Sequence, residues 1–213
     1  MEFYSHLKEY CAETPVFLPT QRKISFFITC GLPGTGKTTF CEKIKNYYPE
    51  NEAIILSRDY IRGNILWQIR KKSKEEQKTV IENLDFKVTE ELVEIITKIR
   101  EEYEYFQYKA IIIDGCHTNW KTLTSIILAI GDIKNKCNIY LCIIGDNLSQ
   151  CCHNVTYKEE GDYSDYKEDF THDSVPECVI EKKRNEMELL LTKYLEFISY
   201  YVDAICMYPA YSK

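Results

Sequence analysis

Short apolar runs punctuate the chain, each bounded by polar or turn-forming residues. Ile24 to Cys30 reads ISFFITC, a run rich in β-branched and aromatic side chains that stops at Gly31. A continuous rather than alternating run of this length predicts a strand buried on both faces of a parallel sheet. Ile54 to Leu56, Lys109 to Asp114 (KAIIID) and Asn138 to Ile144 (NIYLCII) predict three more strands, and Tyr201 to Met207 a last one. Between the runs the period changes. Phe40, Ile44 and Tyr47 predict a helix over Thr38 to Tyr47 with one apolar side. Leu84, Val88, Leu92 and Ile95 to Ile99 recur at helical spacing inside a long helical zone from about Lys74 to Glu102. Leu123 to Ile130 predicts another helix, and Pro176 opens a final one to about Ser199. Strands alternating with helices predict an α/β domain, with a mostly parallel sheet of about five strands flanked by helices.

Two segments lack this patterning. Residues 1–23 carry two prolines and little periodicity, and read as a loose leader before a single domain over 24–213. Thr156 to Asp173 holds seven acids (Glu159, Glu160, Asp162, Asp165, Glu168, Asp169 and Asp173) against Lys158 and Lys167. It reads as an exposed, mobile insertion within a lid segment of about residues 150–175.

Composition adds bounds. A chain of 213 residues with 45% hydrophobic and 28% charged side chains has enough apolar surface for a core, which excludes disorder as its dominant state. The net charge of −6 argues against non-specific coating of nucleic acid or of an anionic membrane. That charge is concentrated, however: without Thr156 to Asp173 the chain is close to neutral, so an anionic partner at one groove stays open. No apolar run is long enough to span a bilayer, and the N-terminus has no basic region ahead of an apolar core. Ten cysteines fall below the density of a disulfide scaffold, and several sit inside strand-like runs. They read as small buried hydrophobes in a reducing, cytoplasmic compartment. Cys151-Cys152-His153 has no second pair at zinc-finger spacing.

The strongest chemical signal is Gly31-Leu32-Pro33-Gly34-Thr35-Gly36-Lys37-Thr38, which matches G-x-x-x-x-G-K-[ST] in full and stands between a predicted strand and a predicted helix. Glycines let backbone N–H groups turn inward around phosphate oxygens. Lys37 supplies a movable cation for the β- and γ-phosphates, and Thr38 a hydroxyl for Mg²⁺. Gly31, Gly34, Thr35, Gly36, Lys37, Thr38 and Thr39 are thus the expected binding set for ATP with Mg²⁺, on a P-loop NTPase fold.

Ser57-Arg58-Asp59-Tyr60-Ile61-Arg62-Gly63 follows the second strand. If a helix begins near Asp59, Asp59 and Arg62 share one face. Two readings fit. In one, Asp59 takes the proton of an attacking hydroxyl while Arg62 grips a phosphate through its planar fork. In the other, Asp59 caps the helix and Arg62 is solvated. The GLPGTGKT loop, a short strand and then S-R-D-Y-I-R-G together resemble the polynucleotide 5′-kinase family, the phage-type enzymes and the kinase modules of RNA repair. The resemblance continues more loosely through Ile111 to Trp120 (IIIDGCHTNW) and His172-Asp173-Ser174-Val175-Pro176, and so runs with gaps from Ile24 to about Leu191. It implies Asp59 as general base and Arg62 as the clamp on the acceptor's 3′-side phosphate. Asp114, ending its strand, either helps order Mg²⁺ through water or simply caps the strand end. His117 and Trp120 either line the acceptor groove, Trp120 stacking a base, or belong to the core.

One part of the family pattern is missing. Relatives carry lid arginines after the fourth strand, in a phrase like R-N-x-x-R. Here Cys152-His153-Asn154 stands at that place. His153 and Lys158 are weak substitutes, and Arg184, with Lys182 and Lys183 beside it, is another candidate unless that helix face is simply solvated. The expected function is ATP-dependent transfer of the γ-phosphate to the 5′-hydroxyl end of RNA or DNA. The alternatives are a kinase of a nucleoside, nucleotide or other small molecule, and a nucleotide-binding non-enzyme that lost its lid arginine.

Overall fold

A computed structural model describes residues 24–101, 108–131, 137–145, 175 and 177–208 of the chain. The leader over 1–23, the acidic insertion over 156–173 and His153 lie outside the described residues. Five strands, β1 (Ile24–Cys30), β2 (Ala53–Ser57), β3 (Ala110–Asp114), β4 (Cys137–Ile144) and β5 (Ala204–Tyr208), form one sheet in the order β2-β3-β1-β4-β5. Every pairing is parallel. The α/β sheet expected from the apolar runs is therefore present, with β1 at its centre. Strands that leave β1 on opposite sides open a crevice at their C-terminal ends, which is where such sheets bind ligands.

Parallel pairing explains the unbroken apolar runs, because both faces of the sheet are covered. All seven residues of β1 are buried. Phe26, Ile28 and Cys30 face one cluster, shared with Ile111, Ile113, Leu141 and Ile143 and covered by helices. These are α2 (Arg58–Ile69), α4 (Leu84–Glu101), α5 (Trp120–Ile130) and α6 (Glu177–Leu189), which bring Ile61, Leu92, Ile126 and Ile180. Phe27 faces the other way, against Phe40, Cys41 and Ile44 of α1 (Lys37–Lys45), and stacks on Tyr140 at 5.1 Å between ring centroids. Full burial of a phenylalanine is worth roughly 1.5–3 kcal/mol, and truncation to alanine costs about 3–5 kcal/mol, so β1 is the strand on which the fold depends most.

Four boundaries differ from the sequence pattern, each for a local reason. The long helical zone is two helices, α3 (Lys74–Glu82) and α4, divided at Asn83. Helix α3 buries no residue and starts in a capping box between Ser73 and Glu76, so it is set by its cap rather than by an apolar stripe. The first helix ends at Lys45, and Tyr47 is 81% exposed rather than part of the apolar face. The last helix is interrupted: α6 passes through a π-turn at Leu190–Tyr194 into α7 (Leu195–Ser199). The last strand starts at Ala204, because Asp203 is already tied to β4, its backbone N–H donating to the Ile139 carbonyl and its carboxylate accepting from the Ile139 N–H at 2.7 Å.

Candidate active site

The loop after β1 is shaped by glycine. Gly34 and Gly36 take φ of 80° and 85°, a left-handed backbone that a side chain resists. Gly31 is required by proximity: a Cβ there would stand 2.5 Å from the Ile144 carbonyl oxygen at the end of β4. Thr35 is fully buried and donates to the Leu32 carbonyl at 2.9 Å, which fixes the turn. Lys37 opens α1 and is buried to 8% exposure, its Nζ donating to the same carbonyl at 2.5 Å and to Thr35 Oγ1 at 3.5 Å. Thr38 and Thr39 follow on the exposed side of the first turn.

Register delivers the acids to this loop. Ser57, the last residue of β2, pairs with Asp114, the last of β3, and β3 lies beside β1. Asp114 is buried and accepts a 2.9 Å hydrogen bond from the Thr38 hydroxyl. Burial raises its carboxyl above the ordinary aspartate value, against the pull of Thr38 and Lys37, and the nearby charge of Asp59 pushes it further up. Thr38 and Asp114 thus place two hard oxygen donors at the start of α1, a set that suits a hydrated magnesium ion. Among the described residues no group of three or more His, Cys, Asp or Glu side chains forms a metal-binding cluster. Burial lifts the Cys30 thiol to about 12, so it stays neutral behind the loop.

On the β2 side, the N-cap of α2 is Ser57, whose hydroxyl accepts from the Tyr60 N–H at 3.3 Å. Asp59 therefore does not cap the helix. It sits exposed in the first turn, with Oδ1 accepting from Arg62 Nη1 at 2.5 Å. Arg62 also reaches Asp85 Oδ1 with Nη2, at 3.5 Å. The same Asp85 oxygen accepts from Arg58 Nη2 at 2.9 Å, while Arg58 Nη1 donates to Thr89 at 3.0 Å. Arg58, with its side chain 6% exposed, is the buried member of this group.

The β3–α5 loop braces both sides. Gly31 N–H donates to the Cys116 carbonyl, and Thr29 Oγ1 to the carbonyls of Ile113 and Gly115. His117 is 4% exposed, adopts φ 42°, and holds Nδ1 2.6 Å from the Thr29 carbonyl. Its Nε2 has no hydrogen-bond partner among the described residues. Nδ1–H therefore donates and the imidazole is neutral: burial, then the Arg58 charge, lower its pKa to about 3. His117 faces the protein interior, wedged with Arg58 against Gly115, where a Cβ would meet Arg58 Cδ at 2.7 Å and His117 Cε1 at 2.8 Å. Asn119 caps α5, accepting from Lys121 and Thr122, and Trp120 stacks on Tyr194 at 4.5 Å against the core. Thr118 donates to Glu186 of α6 at 3.0 Å, and Glu186 also takes Lys183 Nζ at 2.9 Å. Arg184 is exposed on that helix, whereas Lys183 is half-buried.

The structure thus brings Lys37, Thr38, Asp114, Asp59 and Arg62 to one edge of the sheet, while Arg184 stands apart in solvent and His153 lies outside the described residues. The sequence reading missed the roles of Arg58, Asp85 and Thr89. One signal was available: Asp85 and Thr89 are four apart on α4 and border its Val88–Leu92 apolar stripe, where a polar pair often serves a buried cation. No helix among the described residues is long and apolar enough to cross a membrane.

Comparison with known proteins agrees with this architecture. No curated protein matches the sequence. A chain in the Pnkp1/Rnl/Hen1 RNA repair complex shares the fold at a TM-score of 0.55 and 15% identity, covering 82% of this chain and 47% of that one. This protein thus spans about half the length of that chain. A chain of the PezAT chromosomal toxin-antitoxin system of Streptococcus pneumoniae is equally similar, at a TM-score of 0.55 and 15% identity over 98% of this chain and 75% of that one. The fold is a P-loop NTPase fold, and a family model described as an AAA domain matches residues 30–169, taking in the glycine loop, strands β2 to β4 and Asp114 at the end of β3; the chain belongs to that family.

Proposed function

We propose that the protein is an ATP-dependent kinase that phosphorylates the 5′-hydroxyl end of RNA or DNA. The observation that carries this reading is the placement of Asp59: released from capping by Ser57, bonded to Arg62, and close enough to the P-loop acid Asp114 to raise its pKa. An acid so placed stands where an acceptor hydroxyl meets the γ-phosphate of a nucleotide held by the loop. Asp59 Oδ1 is taken by Arg62, which leaves Oδ2 to receive the hydroxyl proton as the oxygen attacks. Arg62 presents a planar fork to an acceptor phosphate. Lys37, on a flexible four-carbon stem at the start of α1, turns from the Leu32 carbonyl to the β- and γ-phosphates. Thr38, with Asp114 behind it, would hold a magnesium ion, which would neutralise phosphate charge. Phosphoryl transfer needs positioning and charge more than covalent chemistry, so a site of these few groups suffices. Of the two candidates for the charge that a lid arginine supplies in the family the sequence resembles, Arg184 is exposed on α6 while its neighbour Lys183 faces Asp85, which leaves His153.

The resemblance of the S-R-D-Y-I-R-G segment to polynucleotide kinases and the shared fold with a chain of an RNA repair complex support a nucleic-acid acceptor. The fold is equally like a toxin-antitoxin chain, so the acceptor is chosen by experiment. The test is incubation with γ-labelled ATP, Mg²⁺ and either 5′-hydroxyl oligonucleotides or nucleosides and nucleotides. Label on oligonucleotides alone is the expected result; label on the small acceptors alone identifies a small-molecule kinase, and nucleotide binding without transfer identifies a non-enzyme. Asp59→Asn is expected to lower transfer by on the order of 10²–10⁴-fold while nucleotide binding stays intact. Full activity in that variant sinks the base assignment.

A further inference from the structure

Asp85 is the point where two arginines of different character meet. It stands in the first turn of α4, where the helix N-terminus favours a carboxylate. Arg58 reaches it from α2 at 2.9 Å and also touches its backbone carbonyl at 3.3 Å. Arg62, one turn further along α2, reaches the same oxygen at 3.5 Å from a half-exposed position. The two contacts differ in kind. Arg58 is buried, and a buried guanidinium left without a carboxylate is strongly destabilising, so the Arg58–Asp85 pair is fixed. The Arg62–Asp85 contact is long and solvated, and such a contact holds little energy. It sets direction instead. With Nη1 on Asp59 and Nη2 on Asp85, the plane of the Arg62 guanidinium is defined at both ends.

We propose that Asp85 is a positioning residue for the acceptor: it holds the Arg62 fork open toward an incoming anionic group and hands it over, while Arg58 stays behind as its permanent counter-ion. The inference rests on the acceptor reading given above. When an acceptor phosphate takes Arg62, Asp85 is not left an unpaired charge, since Arg58 and the nearby Lys183 of α6 still face it. The release therefore meets little resistance. The surroundings agree: desolvation pushes the Asp85 carboxyl up, yet Arg58, Lys183 and Arg62 together outweigh it and hold the carboxyl below the ordinary aspartate value. The charge is thus kept through the whole neutral range.

The first test needs no variant and no turnover. In the full chain with ¹⁵N-labelled arginine, the Arg62 guanidinium signals are expected to move on adding a 5′-hydroxyl oligonucleotide, while those of Arg58 stay. Movement of Arg58 with Arg62, or of neither, overturns the hand-over. In the acceptor-free protein Asp85→Asn is expected to loosen the Arg62 guanidinium at its Nη2 end, with Asp59 still on Nη1, and to lower the melting temperature because the buried Arg58 loses its carboxylate, while Thr89 and the backbone carbonyl at position 85 keep Arg58 restrained; an Arg62 signal unchanged by that substitution overturns the hold, whether or not the protein proves to be a kinase. The second test is kinetic. Asp85→Asn is expected to raise the acceptor KM up to about fivefold with the KM for ATP unchanged, as suits an exposed contact of at most about 1 kcal/mol, and Asp85→Glu to restore part of it. In an Arg62→Ala background Asp85→Asn is expected to add nothing; additive effects overturn the assignment. If no oligonucleotide is phosphorylated by the unsubstituted chain, the nucleic-acid acceptor reading fails and the acceptor-free arginine signals still decide the role of Asp85.

Discussion

The two halves of the site are built by different means. The phosphate side is one stretch of chain, Gly31 to Thr38, whose shape follows from its own glycines and whose partners lie within a few residues: Thr35 and Lys37 both bond Leu32. The proposed acceptor side is gathered from three places. Arg58, Asp59 and Arg62 come from α2, Asp85 and Thr89 from α4, and the nearby charge of Lys183 from α6, so the bonds that join α2 to α4 span more than twenty residues of sequence. A local device is rigid and repeats wherever its sequence repeats. A gathered device depends on how helices pack, and it can be retuned by changing one helix.

The largest effect is expected from breaking the local half. Gly31→Ala places a methyl group 2.5 Å from the Ile144 carbonyl, a backbone atom that cannot swing aside. Moving the loop by even about 1 Å is expected to lower transfer by on the order of 10²-fold. Overpacking of this kind should also destabilise by about 1–3 kcal/mol. Thermal melting together with nucleotide titration checks both, and normal nucleotide affinity in this variant would show that the loop is less constrained than its contacts imply.

A smaller effect is expected at the junction of the halves. Asp114 is held above the ordinary aspartate pKa, mainly by burial. The sign is unambiguous. A carboxyl with a raised folded-state pKa contributes a penalty as pH climbs through that value, because the ionised form is worse off folded than unfolded. Asp114 therefore works against stability at neutral pH. Asp114→Asn keeps a partner for the Thr38 hydroxyl and removes the buried charge. Its melting temperature is expected to equal or exceed that of the unsubstituted chain, while Mg²⁺-dependent transfer falls by about 10–100-fold. A variant both less stable and fully active would assign Asp114 to the fold alone.

The same contrast explains what could be read in advance. The five strands were legible because a sheet covered on both faces demands unbroken apolar runs, and the glycine loop because its chemistry is spelled in consecutive residues. Helix α2 was legible only as a condition on Asp59, since its buried positions, Arg58, Ile61, Ile65 and Ile69, include a charged residue that hides the stripe. Asp85 was legible only through its spacing from Thr89, because an acid in a first helical turn looks like ordinary dipole complementation until α2 is packed against it. Lys183 rather than Arg184 faces the site for a similar reason, as the rotation of α6 is fixed by Ile180, Met187 and Leu190 in the core. The segment expected to form a lid, on which His153 falls, and the acidic insertion within it lie outside the described residues except for Val175.

The smallest expected effect sharpens the comparison most, because it concerns a residue that joins the halves without belonging to the chemistry of either. His117 bonds Thr29 behind the glycine loop and packs against Arg58 behind the acceptor group. Its folded-state pKa of about 3 lies well below the ordinary histidine value of 6.5. The unfolded chain therefore takes up a proton there below about pH 6.5 while the folded chain refuses it until about pH 3. The stability it supports is fully present above 6.5 and falls steadily between those limits. His117→Asn suits the site, since asparagine tolerates the φ of 42° and its amide can still donate to the Thr29 carbonyl. Stability measured by urea unfolding from pH 7.5 to 4.5 is expected to decline more gently in this variant, with transfer at pH 7.5 changed little. An identical slope in the two proteins would mean that His117 becomes protonated without leaving its place. The loop after β3 would then be a looser brace than its hydrogen bonds suggest.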